Sequence, residues 1–134
     1  MPVPFIVPAY AAILALIYII LAIRIMNLRG SAKAAVGTGG NIRLERAIRA
    51  HGNFAEYVPL ALILLSAMQM QRNSIYVLHI LCIILVLGRV IHAFGISQEN
   101  EKFVFRATGM SLTFLVLIVA SVAVLWDYVL IART

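Results

Sequence analysis

Long apolar runs alternate with short polar ones along this chain, and the pattern predicts helices at about 4–27, 42–70, 75–95 and 103–131. Val3 to Ile23 carries no charge, about the length needed to cross a hydrocarbon core. Arg24 and Arg29 follow this run rather than precede it, which reads as a retained transmembrane helix and not a cleaved signal peptide. Pro2, Pro4 and Pro8 suit its start, where a missing N–H costs little. The segment 27–41, NLRGSAKAAVGTGGN, reads as a flexible polar loop. The second run opens with charged residues, NIRLERAIRAHGNFAEYVP, before LALILLSAMQM. Pro59 inside it predicts a kink rather than a break. Gln71-Arg72-Asn73-Ser74 forms a short turn. The third run stays apolar until Gly88-Arg89-Val90-Ile91-His92, and the polar connection GISQENEK leads to Phe103-Val104-Phe105-Arg106 and the fourth. Trp126 and Tyr128 at its far end suit a membrane–water interface.

Composition makes these helices membrane helices. Of 134 residues, 63% are hydrophobic and 12% charged, and mean hydropathy is +1.02. An average globular protein has about 25% charged residues, so this chain could not cover a water-facing surface with polar groups. The expected fold is all-α, an integral membrane four-helix bundle, and the length suits a single domain over 1–134. The net charge of +6 does not point to nucleic acid, because the basic residues are split among apolar runs and form no patch. They are an orientation signal instead. Arg24, Arg29, Lys33, Arg43, Arg46, Arg49, Arg89, Lys102 and Arg106 gather at the end carrying the first and third connections, against Arg72 and Arg133 at the other. The positive-inside rule then puts those connections in the cytoplasm and both termini in the periplasm. The lone Cys82 excludes an internal disulfide or a cysteine metal cluster and reads as a small core residue.

The charged start of the second helix carries the candidate chemistry. At 100° per residue, Ile42, Arg46, Arg49, Asn53, Glu56 and Leu60 share a sector of roughly 80°. Segment 42–56 also holds Arg43 and Glu45, which suit headgroup depth or solvent. With all five charges facing lipid the cost would be roughly 12–17 kcal/mol. They must pair inside the bundle, reach the headgroups, or line a cavity. One reading of the stripe is an internal salt-bridge network that ties helices together. The other is a recess for a small anion, with arginines for carboxylates and Glu56 for an ammonium group. Arg89 and His92 from the third helix and Arg106 from the fourth would meet the same recess. The excess of Arg46, Arg49, Arg89 and Arg106 over Glu56 favours the anion. His51 lies about 140° from Arg46 and suits an interfacial or intersubunit hydrogen bond, while His79, isolated among apolar residues, suits a structural role. The histidines make weak metal ligands without a carboxylate at ligand spacing, so no metal is expected. Gly37, Gly39 and Gly40 make no phosphate loop. Ala61, Ser66, Gly88, Gly109 and Ser111 permit close helix contacts.

Glu45-Arg46-x-x-Arg49-Ala50-His51-x-Asn53-x-x-Glu56-x-x-Pro59 resembles the signature of the MAPEG family, the membrane-associated proteins in eicosanoid and glutathione metabolism. The resemblance covers essentially the whole chain, including Arg89-x-x-His92, and is to a bacterial-type member. It implies a homotrimer that binds glutathione as co-substrate in a cleft between subunits, at the cytoplasmic end. By position, Arg49, Asn53 and Glu56 would contact the tripeptide, with Arg46 supporting and His92 contributing. Arg106 would be the catalytic residue, stabilising the glutathione thiolate. A free thiol has a pKa of about 8.5, and a neighbouring cation lowers it. The thiolate would then attack an electrophile dissolved in the bilayer. This chain departs from eicosanoid-forming relatives in having Gly52 where they have an arginine and Ile96 where they have a tyrosine. The stretch from His92 to Arg106 is also one residue longer.

The expected function is therefore a glutathione-dependent transferase or peroxidase of a bacterial inner membrane, acting on lipophilic small molecules. The alternative is a non-catalytic protein of the same fold that binds a lipid or another small anion. A four-helix drug exporter would be expected to carry an acidic residue in its first helix, and Val3–Ile23 has none.

Overall fold

The computed structural model describes residues 5–71 and 73–131, so Pro2, Val3, Pro4, Arg72 and Arg133 lie outside the described residues. The elements are α1 (Ile6–Ala32), α2 (Ile42–Met70), α3 (Ile75–Ser97) and α4 (Phe103–Ile131), with no strand among the described residues. All four helices are long and apolar enough to cross a membrane. Leu16, Ile20, Ile63, Ile80, Ile118 and Val122 are exposed on their outer faces, as a lipid solvent allows.

Local chemistry sets the helix ends. Pro8 lies in the first turn of α1, where its missing N–H needs no partner. The Val7 N–H there donates to Gln69 Oε1 of α2 at 2.9 Å. At its other end α1 continues past the expected limit near 27 and stops at Lys33, which is left-handed at φ 51°. Arg29 then gathers the carbonyls of Ala34, Ala35 and Gly37 at 3.0–3.3 Å. A side chain expected only to mark topology thus also fastens the loop. Asn41 caps α2, its Oδ1 accepting from the Leu44 N–H at 3.0 Å. α2 is continuous through Pro59. α3 extends to Ser97, half a turn past the expected end.

The hydrogen bonds between helix ends define an up-down-up-down bundle. The start of α1 meets the end of α2 through Val7 and Gln69, and Asn73, just before α3, donates to Asp127 near the end of α4 at 2.8 Å. At the opposite end Arg24 of α1 donates to Ser97 of α3, and Arg43 of α2 pairs with Glu99. α1 packs on α2 and α3, α4 packs on α2 and α3, and among the described residues the backbones of α1 and α4 stay apart. α2 buries Leu44, Ala47, Ala50, Phe54, Val58, Ala61, Leu65 and Met68, a three-and-four rhythm that is the core face. Cys82 is fully buried in the same core.

α3 and α4 make the most intimate pairing, and glycine permits it. A Cβ on Gly109 would lie 2.5 Å from both the Gly88 carbonyl oxygen and the His92 nitrogen. Gly88 and Gly109, two of the small residues picked out by sequence, therefore face each other. Ser66 and Ser111 are instead exposed.

Candidate functional site

The polar stripe of α2 runs one residue behind its core face: Arg46 beside Ala47, Arg49 beside Ala50, Asn53 beside Phe54. A step of one residue is a rotation of 100°, so the stripe sits on the rim of the bundle and not at its centre. Arg46 and Asn53 are partly buried there, while Arg49 and Glu56 are exposed. Among the described residues, neither Arg49 nor Glu56 takes part in an ion pair. The stripe is not a salt-bridge network closed on itself.

The partners of Arg46 come from the end of α3 and from the connection between α3 and α4. Arg46 Nη1 donates to Glu101 Oε2 at 2.9 Å and to the Ile96 carbonyl at 3.3 Å. Arg106 Nη1 lies 2.9 Å from the other oxygen, Glu101 Oε1, an ion-pair contact without the alignment of a hydrogen bond. One carboxylate thus bridges guanidinium groups from α2 and α4, and the trio keeps a net positive charge. The Glu101 side chain is 16% exposed and that of Arg106 is 40% exposed, so an anion arriving from outside meets Arg106 first. Arg106 also lies over the Phe103 ring, 5.4 Å from its centroid.

His92 joins this group through the backbone. Its Nδ1 is 3.1 Å from the Arg106 carbonyl oxygen, which can only accept, so Nδ1 carries the proton. The buried Nε2 has no partner among the described residues. Gly95, one turn further along α3, brings the two backbones close enough that a Cβ there would lie 2.8 Å from the Arg106 nitrogen. This close approach sets where Arg106 leaves α4.

Arg89 is placed differently from the expectation. It is fully buried, so no ligand outside the bundle reaches it. Its Nη2 donates to Asn53 Oδ1 at 2.9 Å and its Nη1 to Thr113 Oγ1 at 3.2 Å. Phe54 and Tyr57 flank it with ring centroids 5.8 and 5.9 Å away. Among the described residues no carboxylate pairs with it. Charge-assisted hydrogen bonds and desolvated cation–π contacts offset part of its burial. The consequence for the site lies in Asn53. With Oδ1 committed to Arg89, the Asn53 amide has its NH₂ left to offer as donor.

His51 stacks on Tyr18 of α1, with centroids 4.3 Å apart, and His79 pairs through Nδ1 with the Tyr10 hydroxyl at 3.1 Å. Both are contacts between helices of one chain. Gly52 opens onto free space, with nothing within 4 Å of an added Cβ. The residues missed by sequence reading are Glu101, Glu99 and Thr113. A signal for the first two existed: of five acidic residues in the chain, two stand in the short connection between His92 and Arg106.

Comparison with known proteins agrees with this architecture. The model of the MAPEG family matches residues 7–126. Two proteins named Inner membrane protein YecN, from Escherichia coli strain K12 and from Escherichia coli O6:H1 strain CFT073, are each 36% identical to this chain over 117 residues. The alignment covers 87% of this chain and 88% of each relative. With the family model spanning all four helices, and relatives of this identity aligned along most of its length, the chain belongs to the MAPEG family.

Proposed function

We propose that this protein is a membrane-bound glutathione-dependent transferase or peroxidase acting on lipophilic electrophiles. The observation that carries the reading is the Arg46–Glu101–Arg106 trio. Two cations from different helices, balanced by one carboxylate, form a net positive group at one end of the bundle. Glutathione would bring its carboxylates to Arg46 and Arg49 and its ammonium group to Glu56. The Asn53 NH₂ would donate to a carbonyl, with His92 beside it. Arg106, the most open cation of the trio, would hold the thiolate. Arg89 would act through Asn53 by holding its amide in one orientation.

The site would lie between subunits of a homotrimer. Glu56 lies within the helix that spans the bilayer and is exposed on the single chain, as is Arg49. A charge at mid-bilayer costs about 2.5–3.5 kcal/mol even on the lenient scale, which favours a neighbouring copy and a bound ligand covering this face. The excess of basic residues at the site's end and the name of the Escherichia coli relatives support an inner-membrane location, with termini periplasmic and the α1–α2 and α3–α4 connections cytoplasmic.

The test is direct. Adding glutathione to the purified protein should produce ultraviolet thiolate absorbance, and the protein should conjugate a model lipophilic electrophile. Absence of both would remove the enzymatic reading. A second reading, a non-catalytic binder of a lipid or another small anion, is favoured by Glu101 already holding both arginines. Gly52→Arg tests the site from the other direction. Free space receives the side chain, and the change removes a mid-helix glycine. One added charge-assisted hydrogen bond, about 1.5–3 kcal/mol, should tighten glutathione binding by about tenfold or more in calorimetry. Unchanged affinity would mean that the ligand does not pass this face of α2.

A further inference from the structure

A second basic site lies at the same end of the bundle, on α1. Two clefts there share Arg24 and Arg43. One, of about 500 Å³, is lined by Ile20, Ile23, Asn27 and Leu28 besides the arginines. The other, of about 400 Å³, is lined by Ser97, Gln98, Glu99 and Asn100. We propose that this paired cleft binds an anionic phospholipid, with the phosphate between Arg24 and Arg43, the upper acyl stem along Ile20 and Ile23, and headgroup hydroxyls toward Ser97 and Asn100.

Depth, charge and shape each support this occupant. α1 carries no charge from Ile6 to Ile23, a rise of ~27 Å at 1.5 Å per residue, so Arg24 falls where hydrocarbon gives way to headgroups. Ile20 and Ile23 are 65% and 50% exposed just below it, an apolar surface suited to an acyl chain. The Arg24 guanidinium is held by neutral acceptors, the Ser97 hydroxyl and, at 3.5 Å, the Ser97 carbonyl. Among the described residues no carboxylate pairs with it. Arg43 pairs with Glu99, but their side chains are 71% and 51% exposed, and such surface pairs are weak. Two cations and one carboxylate leave the cleft positive. An apolar compartment joined to a polar one through two guanidinium groups repeats the order of groups along a phospholipid. The site shares no residue with the Arg46–Glu101–Arg106 trio.

The experiment is native mass spectrometry of the intact protein, without glutathione, given equal amounts of phosphatidylglycerol and phosphatidylcholine. Wild type should retain phosphatidylglycerol in preference. Arg24→Gln combined with Arg43→Gln should weaken that binding by about 25-fold, about fivefold for each charge, and leave phosphatidylcholine unchanged. The Arg24→Lys, Arg43→Lys variant should keep most of the preference, which separates loss of charge from loss of fold. Lys102→Gln, which removes one charge at the same end, should leave it intact. Equal retention of both lipids by wild type, an equal loss in Lys102→Gln, or an unaltered preference in the double glutamine variant would overturn the proposal. Complete displacement of the lipid by an equal amount of inorganic phosphate would make this a free-anion site and overturn it too.

Discussion

Replacing Gly109 by alanine is expected to cause the largest loss of stability of any single methyl added to this chain. The new Cβ would lie 2.5 Å from the Gly88 carbonyl oxygen and the His92 nitrogen and 2.6 Å from the His92 Cβ. The first two atoms are backbone of a continuous helix and cannot rotate aside. Overpacking usually costs 1–3 kcal/mol, and relief here requires α4 to move away from α3, so about 3 kcal/mol or more is expected. The movement would carry Thr113 off Arg89 and the Arg106 carbonyl off His92, because both contacts cross this interface. Thermal melting in detergent measures the effect. Gly30→Ala serves as control, since nothing lies within 4 Å of its Cβ and alanine favours the helix by about 1 kcal/mol. A Gly109→Ala protein melting with wild type would show that the helices do not approach this closely.

Arg106→Ala is expected to have the largest effect on chemistry. A thiol with pKa near 8.5 is only a few per cent thiolate at pH 7, so a site that holds the anion must supply positive charge. Of the cations in the trio, Arg106 is the more exposed, and Glu101 leaves one charge uncompensated. Without Arg106, Glu101 and Arg46 become a neutral pair, and thiolate absorbance should fall by about tenfold or more. Conjugation should fall with it. The side chain is partly exposed at the start of α4 and supports no core contact, so melting temperature and oligomeric mass should be retained. Arg106→Lys should keep part of the signal, as a point charge without the planar fork. An unchanged thiolate in Arg106→Ala would transfer the role to Arg46 or Arg49; buried Arg89 is out of reach.

Much of this arrangement was legible in the chain. The bounds of α2, Ile42 and Met70, follow from the polar loop before it and the polar turn beyond it, and the structure adds Asn41 as its cap. The first helix was harder, because Gly30 and Ser31 resemble a loop by composition. What holds them in α1 is the Arg29 side chain folding onto the carbonyls that follow. The grouping of Arg46, Arg49, Asn53 and Glu56 on one face is a matter of angle along a single helix, and the structure keeps it. Their separation into a buried-side pair and an exposed pair is not, since it depends on how α2 is rotated against α1, α3 and α4.

Four apolar helices of membrane-spanning length, with a run of charges at the start of one of them, follow from the order of residues alone. Hydropathy and the 3.6-residue period are local properties, readable without knowing any neighbour. It is the packing of the helices that turns Arg89 inward to Asn53 and Thr113 and lets Glu101 bridge Arg46 and Arg106. Except for Glu101 and Arg106, five positions apart, those pairings join residues 24 to 55 positions apart, across helix contacts set by Gly88, Gly95 and Gly109. Side-chain reach across a packed interface depends on backbone separation, and that separation is a property of two helices together, not of either one.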